Sequence, residues 1–257
     1  MNLQTFKIKG MHCASCAGII ERTFKKQKGV ESAEVNYGTE TAKVSFDSEK
    51  ITPDHLSETI KPLGYSLVVE TTAEMNMSAD EHAEHMGINQ SKKEKLAEIE
   101  DMRTKILVAI PLAIIGIFIM GWDISAQLQY IAPPPKILEE FFHHLLPLMA
   151  TYMLFVVGKP YLLGFYRFLR YGKANMDTLI GIGTSVAYIY SFIITAFEES
   201  LKPYLNVEYT YFDVTIVVIA FIALGKYLEA SSKLKTGDAI EKLLNLQAKT
   251  ALIIRDG

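Results

Sequence analysis

Gly10-Met11-His12-Cys13-Ala14-Ser15-Cys16 holds both cysteines of the chain, at the point where a short apolar and β-branched run gives way to a helical pattern. Two thiols separated by two residues can turn both sulfurs toward one point, and thiolate is a soft ligand that suits Cu(I), zinc or an iron-sulfur cluster. Tetrahedral zinc and clusters usually take four ligands. A pair of sulfurs fits Cu(I) best, a soft d10 ion that tolerates two-coordination, and the neighbour from which a carboxylate could have completed a zinc site is His12. A metal site is the leading expectation. A disulfide-exchange pair stays open, because a helix start lowers a thiol pKa, and so does a pair of inert thiols. With no further cysteine for a structural disulfide, the pair is expected in a reducing compartment.

Outward from that run, residues 1–70 read as strand, helix, strand, strand, helix, strand. Leu3 to Ile8 alternates as a strand, and Ala14 to Lys28 carries Ala17, Ile20 and Phe24 at helical spacing before Gly29. Val30 to Asn36 and Thr41 to Phe46 flank a polar turn at Tyr37-Gly38 and predict a hairpin. Thr52 caps a second helix with Pro53 in its first position and Leu56, Ile60 and Leu63 on one face; Gly64 ends it before a strand from Tyr65 to Val69. That order is the α+β, ferredoxin-like βαββαβ arrangement, with both helices on one face of an antiparallel sheet. It puts the cysteines on a loop and a first helical turn, where the helix N-terminus favours thiolate. His55 falls on the surface of the second helix.

The 257 residues carry a formal net charge of -3 and no long basic block, so nucleic-acid binding has no electrostatic footprint. Met1-Asn2-Leu3-Gln4 lacks a basic region leading into an apolar core, and no cleavable signal peptide is expected. Residues 71–102 form a polar linker that becomes an amphipathic lead-in around Leu96, Ile99 and Met102. Met75, Met77, His82, His85 and Met86 in that linker are weak metal candidates, with incidental placement the blander alternative.

Residues 103–230 are expected to hold four transmembrane helices, at about 103–122, 145–168, 177–198 and 209–230. Lys92, Lys93, Lys95, Arg103 and Lys105 precede the first, Arg167, Arg170 and Lys173 separate the second from the third, and Lys226, Lys233, Lys235 and Lys242 follow the fourth. The opposite loops contain only Lys136 and Lys202, so the positive-inside rule puts both termini in the cytosol. Lys159-Pro160, between Gly158 and Gly164, interrupts the second span and predicts a kink. Beyond it, Tyr161, Phe165, Phe168 and Leu169 alternate with Lys159, Arg167 and Arg170, the pattern of an interfacial amphipathic segment that docks an acidic partner or faces lipid phosphates. His143 and His144 fall at the outer end of that span, and Met149 and Met153 share one face by core packing.

Gly-Met-x-Cys-x-x-Cys opening a βαββαβ unit resembles the heavy-metal-associated domain of copper chaperones and heavy-metal-transporting P-type ATPases. The resemblance implies Cys13 and Cys16 as metal ligands and Met11 as support beneath the loop. Gly172-Lys173-Ala174-Asn175-Met176-Asp177-Thr178-Leu179, Gly181-Ile182-Gly183, Leu224-Gly225-Lys226-Tyr227-Leu228-Glu229 and the run Lys233 to Leu243 follow in the order of the N-terminal part of a copper-transporting P-type ATPase. That likeness implies an ion entrance at the cytosolic membrane edge formed in part by Met176 and Glu229. It also implies a docking platform on the kinked helix (Gly158, Lys159, Pro160, Gly164, Arg167, Arg170) for a copper chaperone or for the metal-binding domain itself.

The cargo so implied is Cu(I) or Ag(I), and ATP and Mg2+ act only in a complete family member. The sequence departs from the family in having no Cys-Pro-Cys, no Asp-Lys-Thr-Gly-Thr, no Thr-Gly-Glu loop and no nucleotide-binding segment. Residues 231–257 resemble a cytosolic helix and the start of an actuator domain, so the expectation is the front portion of a Cu(I)-exporting pump whose catalytic domains are partners still to be supplied. It is expected in the plasma or inner membrane of a prokaryote. Two rival expectations are a truncated membrane protein that sequesters copper without catalysis and a membrane-tethered thiol oxidoreductase.

Overall fold

The computed structural model describes residues 2–68, 88–204, 207 and 210–245. Met75, Met77, His82, His85 and Met86 lie outside the described residues, as do the linker at 69–87 and the actuator-like end at 246–257.

The soluble domain follows the order read from the sequence: β1 (Asn2–Lys9), α1 (Ala14–Phe24), β2 (Val30–Asn36), β3 (Thr41–Phe46), α2 (Pro53–Ile60), a 3-10 turn at Lys61–Leu63 and β4 (Ser66–Val68). The four strands form one antiparallel sheet in the order β2-β3-β1-β4, with Thr5 opposite Lys43, Ala33 opposite Val44 and Ile8 opposite Leu67. Strand alternation explains which side is packed: Phe6 and Ile8 of β1 are buried while Thr5 and Lys7, which alternate with them, are exposed. They meet Ile20 and Phe24 of α1, Val44 and Phe46 of β3, and Leu56 and Ile60 of α2 in one core. Met11 and Cys16 belong to that core, so the loop is anchored from beneath.

Helix α1 stops at Phe24, one turn short of the Lys28 expected from its pattern. Lys25-Lys26-Gln27-Lys28 offers no apolar side chain to hold a further turn on the sheet, and the chain leaves through a bond from the Gln27 N–H to the Phe24 carbonyl. Thr52 caps α2 as expected, its hydroxyl accepting from the His55 N–H.

The helical region comprises α3 (Ile88–Gln127), α4 (Lys136–Tyr152), a π turn at Met153–Val157, α5 (Lys159–Tyr171), α6 (Met176–Ala196), the short α7 (Glu198–Leu201) and α8 (Phe212–Asn245). Among the described residues four stretches are long and apolar enough to cross a bilayer: Lys95–Gln127, Lys136–Val157, Met176–Ala196 and Phe212–Lys235. The lead-in and the first span prove to be one continuous helix. The second span begins at Lys136 rather than Leu145, where Glu140, His143 and His144 had masked its apolar character.

The expected kink is a break. The Gly158 N–H bonds the Met153 carbonyl at 2.7 Å to close the π turn, and a new helix starts with Pro160 in its first turn, where a missing N–H leaves no helical bond unmade. Ala109 and Ala113 of α3, Met149, Ala150 and Met153 around α4, and Phe212, Ile216 and Ile219 of α8 fill the bundle core. Leu107, Ile114, Phe118, Val186, Ile189, Phe192 and Phe221 are exposed, a surface that suits lipid and not water.

Candidate metal centre

Cys13 is the residue that precedes the first turn of α1, and Cys16 lies inside that turn, which brings the two sulfurs to 3.1 Å. Both are free thiols, Cys16 buried and Cys13 partly exposed. Among the described residues no group of three or more His, Cys, Asp and Glu side chains gathers at one point, so the two sulfurs are the donor set of this loop.

The soluble domain is seated on one end of the bundle with this loop facing the start of α6. Asn175 caps α6 reciprocally: its side-chain oxygen accepts from the Thr178 N–H at 3.0 Å, and its own N–H donates to the Thr178 hydroxyl at 3.2 Å. The next amide, that of Met176, has no partner within the helix and faces the Cys13 sulfur. Two helix N-termini therefore converge on one thiol.

The consequence is a polarised pair. The Cys16 thiol donates to Cys13 and, with the amides of Met176, Cys16 and Ser15, pulls the Cys13 pKa down to about 5 against the desolvation that opposes it. The same bond, with burial, pushes Cys16 up. The Tyr65 hydroxyl stands between the Cys16 sulfur and Asn175, its pKa raised by burial first and by Cys16 second. His12 is lowered by burial and then by the Lys226 ammonium, which keeps its imidazole neutral beside the sulfurs.

A reactive thiolate at low pH is the expected signature. Alkylation of Cys13 by iodoacetamide should level off above about pH 6, whereas an ordinary thiol with a pKa of about 8.5 gains about tenfold per pH unit up to that value. Mass spectrometry of the metal-free chain across pH 4 to 10 measures this, and a rate still climbing at pH 8 would contradict the assigned polarisation.

Below the sulfurs, Lys226 of α8 and Asp177 of α6 form an ion pair whose side chains are only 12% and 10% exposed. The Lys226 Nζ also sits 5.0 Å from the centre of the Tyr161 ring of α5. Close approach of α5 and α6 makes this possible: a Cβ on Gly164 would lie 2.9 Å from the Asp177 Cβ, and one on Gly181 would lie 3.1 Å from the Phe165 Cβ and nearer still to the Tyr161 backbone. Gly164 therefore serves the α5–α6 contact as well as any bending.

Met176 is partly exposed at the α6 N-terminus, while Glu229 lies further along α8, bound by Tyr37 and Lys233. Arg167 of the basic segment rests against Gly64 of the soluble domain, Arg170 stacks beside Tyr171, and Lys159 is exposed. Sequence reasoning placed Tyr37 in a turn and counted Lys226 for orientation, but assigned no place in the site to Tyr37, Tyr65, Asn175, Asp177 or Lys226. The two charges carried a usable signal, since an ionisable residue at the edge of an apolar span needs a partner.

Residues 5–66 match the model of the heavy-metal-associated domain. The chain is 32% identical over 255 residues to a copper-exporting P-type ATPase of Bacillus subtilis, covering 98% of this chain and 29% of that protein. It is 33% identical over 251 residues to a copper-exporting P-type ATPase of Staphylococcus aureus, covering 97% of this chain and 28% of the other. The chain thus spans under a third of the length of these relatives. Among solved structures, one described as the CopZ metallochaperone is 27% identical, with a TM-score of 0.25, over 26% of this chain and 100% of its own.

Proposed function

We propose, from a heavy-metal-associated domain at residues 5–66 and homology to copper-exporting P-type ATPases over nearly the whole chain, that this protein takes up Cu(I) on Cys13 and Cys16 and hands it to a membrane-edge site at Met176 and Glu229. In this reading it is the receiving portion of a copper exporter. What supports it is the N-terminus of α6, whose Met176 amide faces the Cys13 sulfur and so brings the loop near the residue proposed as next in line. Transfer from thiolate to thioether exchanges one soft donor for another and needs no change of oxidation state, and Ag(I) shares the same preference. Met11 supports the loop from the core.

Both termini would lie on the cytosolic side of a prokaryotic plasma or inner membrane, where Lys159 and Arg170 offer a basic face to an acidic copper chaperone while Arg167 rests against the soluble domain. The 257 residues hold no Asp-Lys-Thr-Gly-Thr, and no step of ATP or Mg2+ chemistry is assigned to them.

The test is Cu(I) titration of the full chain in nanodiscs with X-ray absorption. About one ion per chain on paired thiolates and about one more with thioether character are expected, the second lost in Met176→Leu. Unchanged stoichiometry in that variant would remove Met176 from the path. The polarised thiols would also suit disulfide exchange. Under that rival reading Cys16→Ser traps mixed disulfides with client proteins, and under the copper reading it traps none.

A further inference from the structure

The turn joining β2 to β3 is built to present one aromatic side chain. The Asn36 side-chain oxygen accepts from the Gly38 N–H at 2.8 Å and the Thr39 N–H at 3.2 Å, which fixes the backbone around Tyr37. The Tyr37 hydroxyl donates to Glu229 Oε1 on α8. Lys233, one turn further along α8, places its Nζ 3.1 Å from that same oxygen and 3.5 Å from the centre of the Tyr37 ring. At the other end of the turn Glu40 pairs with Lys95 of α3. One hairpin turn of the soluble domain therefore grips two helices of the bundle, and one of its grips falls on the carboxylate assigned above to the ion entrance. Tyr37 packs against the edge of the domain's own core, and its ring and hydroxyl reach beyond that core to partners on α8.

We propose that Tyr37 is a latch that occupies one oxygen of the Glu229 carboxylate, whose side chain is otherwise 43% exposed, so that Oε1 becomes available to a metal ion only when the β2–β3 turn lets go. The inference rests on the reading of Glu229 as part of the entrance. Its chemistry is competition for one oxygen: Oε1 already accepts from a hydroxyl and an ammonium, and a cation that binds there must displace both. Docking then does two things together. It brings the cysteine loop to Met176, and it engages Oε1 of the neighbouring carboxylate, so that an ion arriving from solution must compete with the hydroxyl and the ammonium for that oxygen. Tyr37 acts through Glu229 as a positioning residue and does not itself ligate metal. Burial and the adjacent carboxylate raise the Tyr37 pKa, which keeps the donated proton in place across the physiological range.

The experiment reads the carboxylate directly. The full chain in nanodiscs is labelled with a water-soluble carbodiimide and glycinamide, and the rate at Glu229 is compared by mass spectrometry with that at the exposed Glu199 of α7. Tyr37→Phe, which keeps the ring under Lys233 and removes only the hydroxyl, should raise the relative rate at Glu229 by about tenfold with the melting temperature unchanged, and Tyr37→Ala should raise it at least as much. Equal rates in the parent and both variants would overturn the latch.

A second arm uses the Cys13→Ser/Cys16→Ser background, in which bicinchoninate competition reports the sites other than the cysteine pair and Met176→Leu identifies the share of the membrane edge. Tyr37→Phe should tighten Cu(I) there by about tenfold, and Glu229→Gln should abolish the gain. Faster labelling without tighter copper, in a protein where Glu229→Gln does weaken copper, would overturn control of access. If Glu229→Gln leaves copper affinity untouched, the reading of Glu229 as a ligand fails, while the labelling rates still decide whether Tyr37 holds its carboxylate.

Discussion

Converting Cys13 and Cys16 to serine in the full chain should lower its tightest Cu(I) affinity by at least about 10³-fold, about 4 kcal/mol. The argument starts from ligand softness: a hydroxyl is a hard, protonated donor at neutral pH, and it replaces a thiolate already formed because the Cys13 pKa is about 5. The sign follows from that value. Above pH 5 metal binding need not compete with a proton at Cys13, and below it protonation weakens binding progressively, while Cys16, raised by its bond to Cys13, releases its proton only as the metal arrives. Competition with bicinchoninate at pH 5 and pH 7 measures both effects. The single variants should differ, because Cys16→Ser also places a hydroxyl at a buried core position whereas Cys13 is partly exposed. A double variant that keeps the parent's tightest site would move copper binding elsewhere in the chain.

The soluble domain was legible because each of its elements is specified locally. Phe6 and Ile8 alternate, Ile20 and Phe24 recur at helical spacing, and Thr52-Pro53 marks a helix start, so period and punctuation sufficed for order and topology. The cysteine loop was legible for the same reason, its two sulfurs and the helix start lying within one turn. The resemblance implied a docking platform that includes Arg167, which does meet Gly64 of the domain, but the individual long-range pairs were concealed. Tyr37 and Glu229 are 192 positions apart, and Asp177 and Lys226 are 49 apart. No periodicity connects such residues. The lower edge of the second span was hidden differently: Glu140, His143 and His144 lie on a helix whose apolar content rises only beyond them, so a hydropathy reading begins too late. The proline at position 160 misled by position alone, since the same residue breaks a helix from inside and favours one at its first turn.

Lys226→Met should be the most damaging single change in the helical region. It removes one member of an ion pair whose side chains are 12% and 10% exposed, leaving Asp177 with a buried charge, no ammonium, and the Tyr161 ring without its cation. Breaking a buried pair from one side costs about 3–5 kcal/mol, far more than the pair's net contribution when both members are replaced together. The double variant Lys226→Met/Asp177→Asn should therefore recover most of the lost stability, which thermal unfolding of the full chain in nanodiscs can measure. Recovery carries a second expectation at the metal centre. Asp177 follows Met176 at the start of α6, and the Met176 amide faces Cys13, so a displaced α6 N-terminus disturbs the contact between the loop and the membrane edge. In the single variant the Cys13 thiolate should lose one of its donors and its alkylation profile should shift toward higher pH; in the double variant both the melting temperature and that profile should return together. Recovery of stability without recovery of the thiol profile would mean that the ion pair holds the bundle but does not place Met176.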